Sequence, residues 1–325
     1  MPQQTHSVEL TGLDGSNPLA FLAALGVLHL VSRGSHSAAL SAPKMTWVWR
    51  GAVPHPQIIT SSAFSSDQLV ALLLDELMRD FSAGNRPSYL YNDIIATKPD
   101  HFRAMLAEAM SMAGTPREHV LTLLSGFASE ACLQHTGKQA GLVEPSIISF
   151  ANRQSYRYLL DDYMALVVGL TTGSSSYPAL DAPKLREALF DHWTYQDHHK
   201  ELRWDPSELR LAALPSQSEA TVHGANALAF WALAVLTSAP TSDGLRTLGI
   251  RTFATPGGRL EHSLVMPIWY CPAGLDAVRA LLASSLLSAQ AVDWEQLQAR
   301  GIKQLFVSQI ITYQKANYFA PAVAL

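Results

Sequence analysis

Apolar and polar positions near the N-terminus alternate between short extended runs and helical stripes. Residues 8–10 alternate as a short strand, and a largely apolar helix is predicted over 18–33. Asn17 can cap this helix, and Pro18 suits its first position because the N–H that proline lacks would have no helical partner there. Two strands and an amphipathic helix follow over 45–49, 57–60 and 68–81. The pattern predicts the element order β-α-β-β-α.

The second half of the chain repeats this order. Its predicted strands cover 209–214, 246–253 and 261–270, and its predicted helices cover 226–236 and 275–287. The region between the halves is predicted to be mainly helical, over 100–133 with a break at 114–116 and over 154–170. A turn segment over 135–145 and a short strand over 146–150 separate these helices.

The predicted fold class is therefore mixed α/β, with two related β-α-β-β-α lobes and an inserted helical layer. The first lobe covers 1–99, the insertion with its short strand covers 100–173, and the second lobe covers 174–325. A small polar loop over 173–177 marks the boundary before the second lobe. A chain of 325 residues exceeds the length at which a single hydrophobic core usually keeps growing, which favours two lobes.

A local repeat favours internal duplication of the lobes. Residues 15–23 and 224–232 are identical at six of nine positions, namely Gly, Asn, Leu, Ala, Phe and Ala. The shared composition of Ala-rich and Leu-rich helices explains most of this match, but it does not explain the shared Gly-x-Asn. In both copies the asparagine, Asn17 or Asn226, is predicted to cap a core helix. An anion-binding loop is the weaker interpretation, because Asp14 would repel a phosphate and a Walker A lysine is missing.

Composition and charge limit the classes of function. The chain is 48% hydrophobic and only 15% charged. Its net charge of -4 argues against binding of nucleic acid through bulk electrostatics alone, but it does not exclude binding through a local basic groove. Cys132 and Cys271 have no metal-ligand spacing and are predicted to be buried, reduced thiols. The N-terminus lacks signal-peptide features and no apolar run is long enough for a bilayer, so a cytoplasmic protein without a membrane role is expected.

Motifs for catalysis or cofactor binding are missing from the sequence. It contains no GxSxG elbow and no HExxH, and neither cysteine lies in a motif typical of a reactive thiolate. A cluster of His192, His198 and His199 beside Asp191 and Asp197 leaves a stand-alone metal-dependent hydrolase or nuclease as the alternative function. Adjacent histidines on a polar connector are more often exposed to solvent than bound to metal. We therefore expect no catalytic residue, no metal and no cofactor.

Two basic stretches indicate contact with nucleic acid. Only Glu144 is acidic between positions 135 and 157, where side chains that pair with phosphates, read bases or stack on bases are concentrated. These candidates are Lys138, Gln139, Asn152, Arg153, Gln154, Tyr156 and Arg157. The second set is Arg246, Arg251 and Arg259, which span a stretch without an acidic residue. The alternative is that both sets are ordinary surface cations.

Five motifs are distributed over nearly the whole chain. The first, over 10–26, is Leu-Thr-Gly-Leu-Asp-Gly-Ser-Asn-Pro-Leu-Ala-Phe-Leu-Ala-Ala-Leu-Gly. Arg-Trp-Asp-Pro-Ser follows over 203–207, and His-Gly-Ala-Asn-Ala-Leu-Ala over 223–229. The last two are Pro-Ile-Trp over 267–269 with Gly-Leu-Asp-Ala-Val-Arg over 274–279, and Tyr-Phe-Ala-Pro-Ala over 318–322. Together they resemble the large-subunit-like subunits of type I-G CRISPR systems, formerly called type I-U.

The resemblance implies a non-catalytic component of a Cascade surveillance complex in antiviral defence. In such a complex, pairing with the guide RNA reads the target sequence, while protein subunits hold the backbone and recognise a short flanking motif. The implied partners are the other Cascade subunits, the CRISPR guide RNA and the target DNA. No family motif determines which residues would read the flanking motif, so none is assigned by resemblance.

Overall fold

The computed structural model describes most of the chain in twelve ranges. These are 5–34, 42–79, 98–111, 115–135, 140–149, 156–172, 175–199, 202–207, 220–242, 244–289, 291–313 and 316–325. Within them, the description of 115–117, 156–161, 170–172 and 175–176 is limited to the backbone. The fold is mixed α/β with several small antiparallel sheets, which confirms the predicted fold class at this level.

In the N-terminal part, the described ranges 5–34 and 42–79 contain one sheet and two helices in the predicted order. The strands are β1 (His6–Glu9), β2 (Lys44–Arg50) and β3 (Val53–Thr60), arranged β1-β3-β2 in an antiparallel sheet. Helix α1 (Pro18–Gly34) follows β1, and helix α2 (Ser66–Met78) follows β3. Asn17 Oδ1 accepts hydrogen bonds from the backbone of Leu19 at 2.8 Å and Ala20 at 3.3 Å, so the predicted cap of α1 is confirmed.

The middle of the chain departs from prediction after its second helix. The helices are α3 (Pro99–Ser111) and α4 (Thr115–Phe127), and the next elements are β4 (Ala128–Leu133) and β5 (Val143–Pro145). The predicted helix over 100–133 is therefore wrong beyond Phe127, because Ala128 and Leu133 pair with β5 instead. The strand predicted over 146–150 is wrong in position, because the observed strand β5 ends at Pro145. Ser146 follows β5, and its backbone N–H donates a hydrogen bond to Phe127 O at 2.7 Å.

Helix α5 and a hairpin lead into the second half. Helix α5 (Tyr156–Val168) confirms the predicted helix over 154–170 as far as Val168, and the prediction is wrong at its end, because Leu170 already belongs to a strand. The polar stretch over 173–177, predicted to be a loop, includes a strand, because β6 (Leu170–Thr172) pairs with β7 (Ser175–Tyr177). Helix α6 (Ala182–Phe190) was not predicted, although Asp181 caps it by accepting a hydrogen bond from Lys184 N at 3.0 Å.

The C-terminal part is organised around a five-stranded antiparallel sheet. Its strands are β12 (Ile250–Ala254), β13 (Leu260–Trp269), β14 (Ile302–Tyr313), β15 (Ala316–Phe319) and β16 (Val323–Ala324). The order is β12-β13-β14-β15, and β16 also pairs with β14. The short pairs β8 (Asp197–His198) with β9 (Ala220–Thr221), and β10 (Ser238–Thr241) with β11 (Gly244–Thr247), precede it. The helices are α7 (His223–Phe230), α8 (Leu275–Leu282), α9 (Ser285–Ser288) and α10 (Trp294–Ala299).

The internal duplication is not confirmed by this topology. The strand predicted over 209–214 lies outside the described residues, and the strand predicted over 246–253 is divided by a turn at Gly249, where φ is +71°. Strand β9, which precedes α7, pairs with β8, whereas β1 pairs with β3 in the first sheet. The sheet that contains β12 and β13 is extended instead by β14, a strand that the sequence pattern did not predict.

Helices α1 and α7, which carry the repeated motif, pack directly against each other. A Cβ at Gly26 would lie 1.9 Å from Leu228 O, so only glycine allows this approach of the two backbones. Trp231 continues α7 as a 3-10 turn, and its ring stacks on the fully buried His29 with 5.5 Å between the centroids. One connected hydrophobic core includes residues from the predicted first lobe, insertion and second lobe. The predicted domain boundaries after residues 99 and 173 stay a prediction.

Two further expectations concern the cysteines and the membrane. Cys132 is buried, as predicted, and burial raises the pKa of its thiol. Cys271 is exposed, because it follows the end of β13 in a turn, so its predicted burial is wrong. Across the ranges that the structure describes, no helix combines the length and hydrophobicity needed to cross a membrane.

Candidate nucleic-acid interface

Most of the first predicted contact set lies outside the described residues. Lys138 and Gln139, and likewise Asn152, Arg153 and Gln154, belong to ranges that the structure does not describe. Tyr156 and Arg157 form the first turn of α5, where only the backbone is described. A contact surface built from these residues therefore stays a prediction.

The second predicted set lies on and beside the β12–β13 hairpin. The two strands pair from Ile250 with Leu264 to Ala254 with Leu260. Their turn is closed by hydrogen bonds from Thr255 N to Arg259 O and from Gly258 N to Thr255 O, both 2.8 Å. Gly258 has a φ of +75°, a conformation that glycine adopts without strain. The Thr-Pro-Gly-Gly-Arg sequence over 255–259 thus forms a tight, exposed turn.

The outer part of this hairpin is a two-stranded ribbon. Pairing between β13 and β14 begins at Ser263 with Gln309 and continues toward Trp269. In the described chain, the backbone of β13 from Leu260 to His262 pairs only with β12. A two-stranded ribbon has the width to enter the major groove of DNA. The hairpin therefore has the shape of a nucleic-acid contact, independent of its side chains.

The three arginines differ in their environments. Arg259 is exposed at the turn. Arg251 is half-buried, and its guanidinium lies 5.8 Å from the centroid of the Phe253 ring. Arg246 is exposed on β11, and its Nη2 donates a hydrogen bond to Ser288 Oγ at 2.9 Å, beside a shallow recess between β11 and helices α8 and α9. The structure thus brings Arg251 and Arg259 onto one hairpin, whereas Arg246 lies on β11, which pairs with β10 in a separate two-stranded sheet.

The electrostatics of the hairpin are less basic than the sequence stretch suggested. Glu261 on β13 lies opposite Phe253, so the strand pair contains one carboxylate. Its Oε2 accepts a hydrogen bond from Gln309 Nε2 at 2.9 Å. Burial lowers the pKa of His262, which leaves this imidazole neutral near pH 7. The hairpin therefore carries two guanidinium groups against one carboxylate.

A second feature, which sequence reasoning missed, is the loop from Leu202 to Ser207. Within the described chain, Tyr195 and Arg203 are the non-glycine residues with positive φ, at 52° and 63°. Arg203 belongs to this loop, and Tyr195 contacts it, because Tyr195 Oη donates a hydrogen bond to Asp205 Oδ2 at 2.7 Å. The guanidinium of Arg203 lies 5.7 Å from the centroid of the Tyr318 ring. The sequence signal for this loop is the Arg-Trp-Asp-Pro-Ser motif over 203–207, which by itself indicated a family resemblance and no contact site.

Asn226 holds this loop and does not cap its helix. Helix α7 begins at His223, so Asn226 is the fourth residue of the helix and the predicted cap is wrong. The helix begins earlier because the backbone N–H of His223 bonds to Asp197 Oδ2 at 3.0 Å, a partner supplied by β8. Asn226 Oδ1 instead accepts a hydrogen bond from Leu202 N at 3.1 Å.

The histidine cluster of the alternative function is dispersed. His192 and His198 are exposed, whereas His199 is buried and stacks on His223 with 4.2 Å between the ring centroids. Asp197 forms an ion pair with Lys184. Among the residues described, no group of three or more histidine, cysteine, aspartate or glutamate side chains is arranged to hold a metal ion. The side chains that the alternative function would need as metal ligands therefore do not converge on one site in the described part of the chain.

Comparison of the chain with protein-family models, curated proteins and solved structures yields no match.

Proposed function

We propose that this chain is a non-catalytic subunit of a type I-G CRISPR RNA-guided surveillance complex. In this role it contributes to assembly around the guide RNA and to binding of the target DNA and its flanking motif. The five motifs that resemble this family support the assignment of the complex. The observation that carries the binding role is the β12–β13 hairpin, a two-stranded ribbon with Arg259 at its turn and Arg251 on its side.

The hairpin suits this task for physical reasons. A guanidinium group binds phosphate in a bidentate manner and also reads the O6 and N7 atoms of guanine in the major groove. Arg259 is exposed at a turn whose backbone is fixed by two hydrogen bonds, so little freedom is lost on binding. A chain with a net charge of -4 needs partners that hold most of the nucleic acid, which agrees with a subunit of a larger assembly.

Three finer proposals accompany this function. The lobes arose by internal duplication, a view supported by the Gly-x-Asn match and by the direct packing of α1 on α7. The chain acts in the cytoplasm, where RNA-guided defence meets invading DNA. The segment over 135–157 is retained as a second nucleic-acid contact, with Lys138, Arg153, Tyr156 and Arg157 as its first candidates.

Reconstitution tests the proposed function. The chain is produced together with the backbone subunits of a type I-G complex and with a guide RNA, and the complex is isolated through a tag on a backbone subunit. We expect the chain to co-purify and to increase the affinity of the complex for a matched DNA duplex. A chain that neither co-purifies nor alters DNA binding would remove the proposal.

A further inference from the structure

The loop from Leu202 to Ser207 holds Arg203 in a strained but firmly supported conformation. Arg203 has a φ of +63°, a region that side chains other than glycine rarely adopt. Its neighbours Leu202, Trp204 and Asp205 are all at most 3% exposed, whereas Arg203 itself is half-buried. Backbone strain of this kind persists only where surrounding contacts maintain it, and it concentrates at functional sites.

Hydrogen bonds from four separate parts of the chain fix this loop. Asn226 accepts from Leu202 N at 3.1 Å, and Trp204 Nε1 donates to Ile148 O at 3.0 Å. Asp205 accepts from Tyr195 Oη at 2.7 Å and from Asn17 Nδ2 at 3.4 Å. The position of Arg203 is thus set in advance, which lowers the entropic cost of any contact that its guanidinium makes.

Arg203 lies on the same face of the five-stranded sheet as Arg251. Residues that oppose each other in antiparallel strands point to one face, and so do residues two apart along a strand. Arg251 opposes Ser263, and Ser263 opposes Gln309 on β14. Two residues further along β14, Ile311 opposes Tyr318, the residue whose ring lies beneath Arg203.

This face therefore carries an arginine at each side. Strands β12 and β15 are three strand spacings apart, which at about 4.8 Å each gives roughly 14 Å. Between them lie Gln309, which is exposed, and Tyr313, which is 37% exposed. Glu261, a carboxylate on this face, accepts a hydrogen bond from Gln309. Ser263 at the centre is buried, so the accessible part of the face runs along β14.

We infer that this face, from Arg251 across Tyr313 to Arg203, binds single-stranded nucleic acid. The inference rests on the proposed function and specifies the form of the ligand. A stacked single strand advances roughly 3.4 Å per nucleotide along its axis, so the roughly 14 Å from β12 to β15 corresponds to about four nucleotides. Bases of any sequence stack on a tyrosine ring, while guanidinium groups hold the backbone. A duplex cannot lie flat on such a face with its bases against Tyr313.

The test measures binding of labelled 15-mers of oligo-dT and oligo-U, and of a duplex, by the full chain alone. The variants are Arg203→Ala, Arg203→Gly and, as a charge-matched control, Arg103→Ala, which is 62% exposed on α3. Arg203→Gly keeps the fold, because glycine adopts the positive φ without strain. Both Arg203 variants should lose about tenfold in single-strand affinity, and the slope of log affinity against log salt should fall by about 0.7.

The outcomes separate this inference from the proposed function. Weaker single-strand binding by both Arg203 variants, with Arg103→Ala unchanged, supports it, and the stronger of the dT and U responses identifies the DNA or RNA source. If the wild-type chain binds no single strand, or prefers the duplex, the inference is overturned. It is also overturned if the Arg203 variants bind as the wild type does. In each of those cases the reconstituted complex still decides the proposed function, because that experiment uses duplex target DNA and the partner subunits.

Discussion

Asn226 accepts a hydrogen bond from the backbone N–H of Leu202 at 3.1 Å. The same side chain donates from Nδ2 to Thr221 Oγ1 at 2.7 Å and to Val222 O at 3.2 Å, and it is fully buried. Asn17, its counterpart in the repeated motif, caps α1 and reaches Asp205 Oδ1 at 3.4 Å. The two asparagines therefore contact the same loop, the one that presents Arg203.

Replacement of the two asparagines by alanine should have unequal effects. Asn17→Ala removes a helix cap, which costs about 1 kcal/mol of unfolding free energy. Asn226→Ala leaves the buried Leu202 N–H without its partner and removes two further hydrogen bonds, so a loss of about 2–3 kcal/mol is expected. Urea unfolding of both variants measures the difference. Equal losses would show that Asn226 acts only as a second cap.

The close contact between α1 and α7 gives a second prediction. Gly26→Ala places a methyl group 1.9 Å from Leu228 O, so the helices must separate, and a loss of about 3 kcal/mol or more is expected. Gly257→Ala is the matched control, because its Cβ would meet nothing closer than Thr255 Oγ1 at 4.0 Å. Thermal unfolding compares the two. A Gly26→Ala variant as stable as the control would contradict the close approach of these backbones.

The buried histidines predict a dependence of stability on pH. Burial, together with the neighbouring His223, lowers the pKa of His199 to about 4. Histidine in the unfolded chain titrates near about 6.5, so the unfolded state binds more protons between about pH 6.5 and 4. The stabilising effect of a neutral His199 is complete above that window and is lost as the pH falls through it. Burial shifts the pKa of His223 in the same direction.

The experiment compares unfolding free energies at pH 7 and pH 4 in the wild type and in two variants. Carboxylates also weaken the fold on acidification, so the informative quantity is the difference from His199→Gln. Between pH 7 and pH 4, the unfolding free energy of that variant should fall by up to about 3 kcal/mol less than that of the wild type. His192→Gln changes an exposed imidazole and should follow the wild type. If all three proteins lose the same amount, the neutral buried state of His199 is wrong.

Elements with local signals could be predicted from the sequence. Asn17 and Pro18 mark the start of α1 within one turn, and Ser65 with Gln68 forms the capping box of α2. Strands β2, β3 and β13 were also predicted, from the apolar and β-branched residues within each segment. In each case the residues that determine the element are adjacent to it in the chain.

Elements that depend on distant partners were not predicted correctly. The start of α7 depends on Asp197, which lies 26 positions before His223, so a motif that matches that of α1 at six of nine positions gave the wrong cap. Strand β4 carried a helical pattern, and its pairing with β5 overrides it. In the candidate site, the arginines of the hairpin could be named from charge alone. Arg203 could not, because its role depends on Tyr318, which is remote in sequence.

Loss of the hairpin arginines should weaken binding of target DNA without loss of assembly. Arg251→Ala and Arg259→Ala each remove one guanidinium, and each contact with a phosphate or a base contributes about 1–3 kcal/mol. Arg259 is exposed at the turn, so Arg259→Ala should leave the stability of the chain within about 0.5 kcal/mol of the wild type. Arg251→Ala also removes the contact with the Phe253 ring and should cost up to about 1 kcal/mol. Binding assays at two salt concentrations distinguish phosphate contacts from base contacts, because only the former change the salt dependence.

The affinity of the reconstituted complex for a matched DNA duplex, with the wild-type chain or with Arg251→Ala/Arg259→Ala, tests the central claim most directly. Arg103→Ala supplies a control of equal charge change per site on α3. We expect the double variant to co-purify normally and to bind DNA at least about tenfold more weakly, while the control binds as the wild type does. Unchanged DNA affinity in the double variant would contradict a nucleic-acid interface on the β12–β13 hairpin.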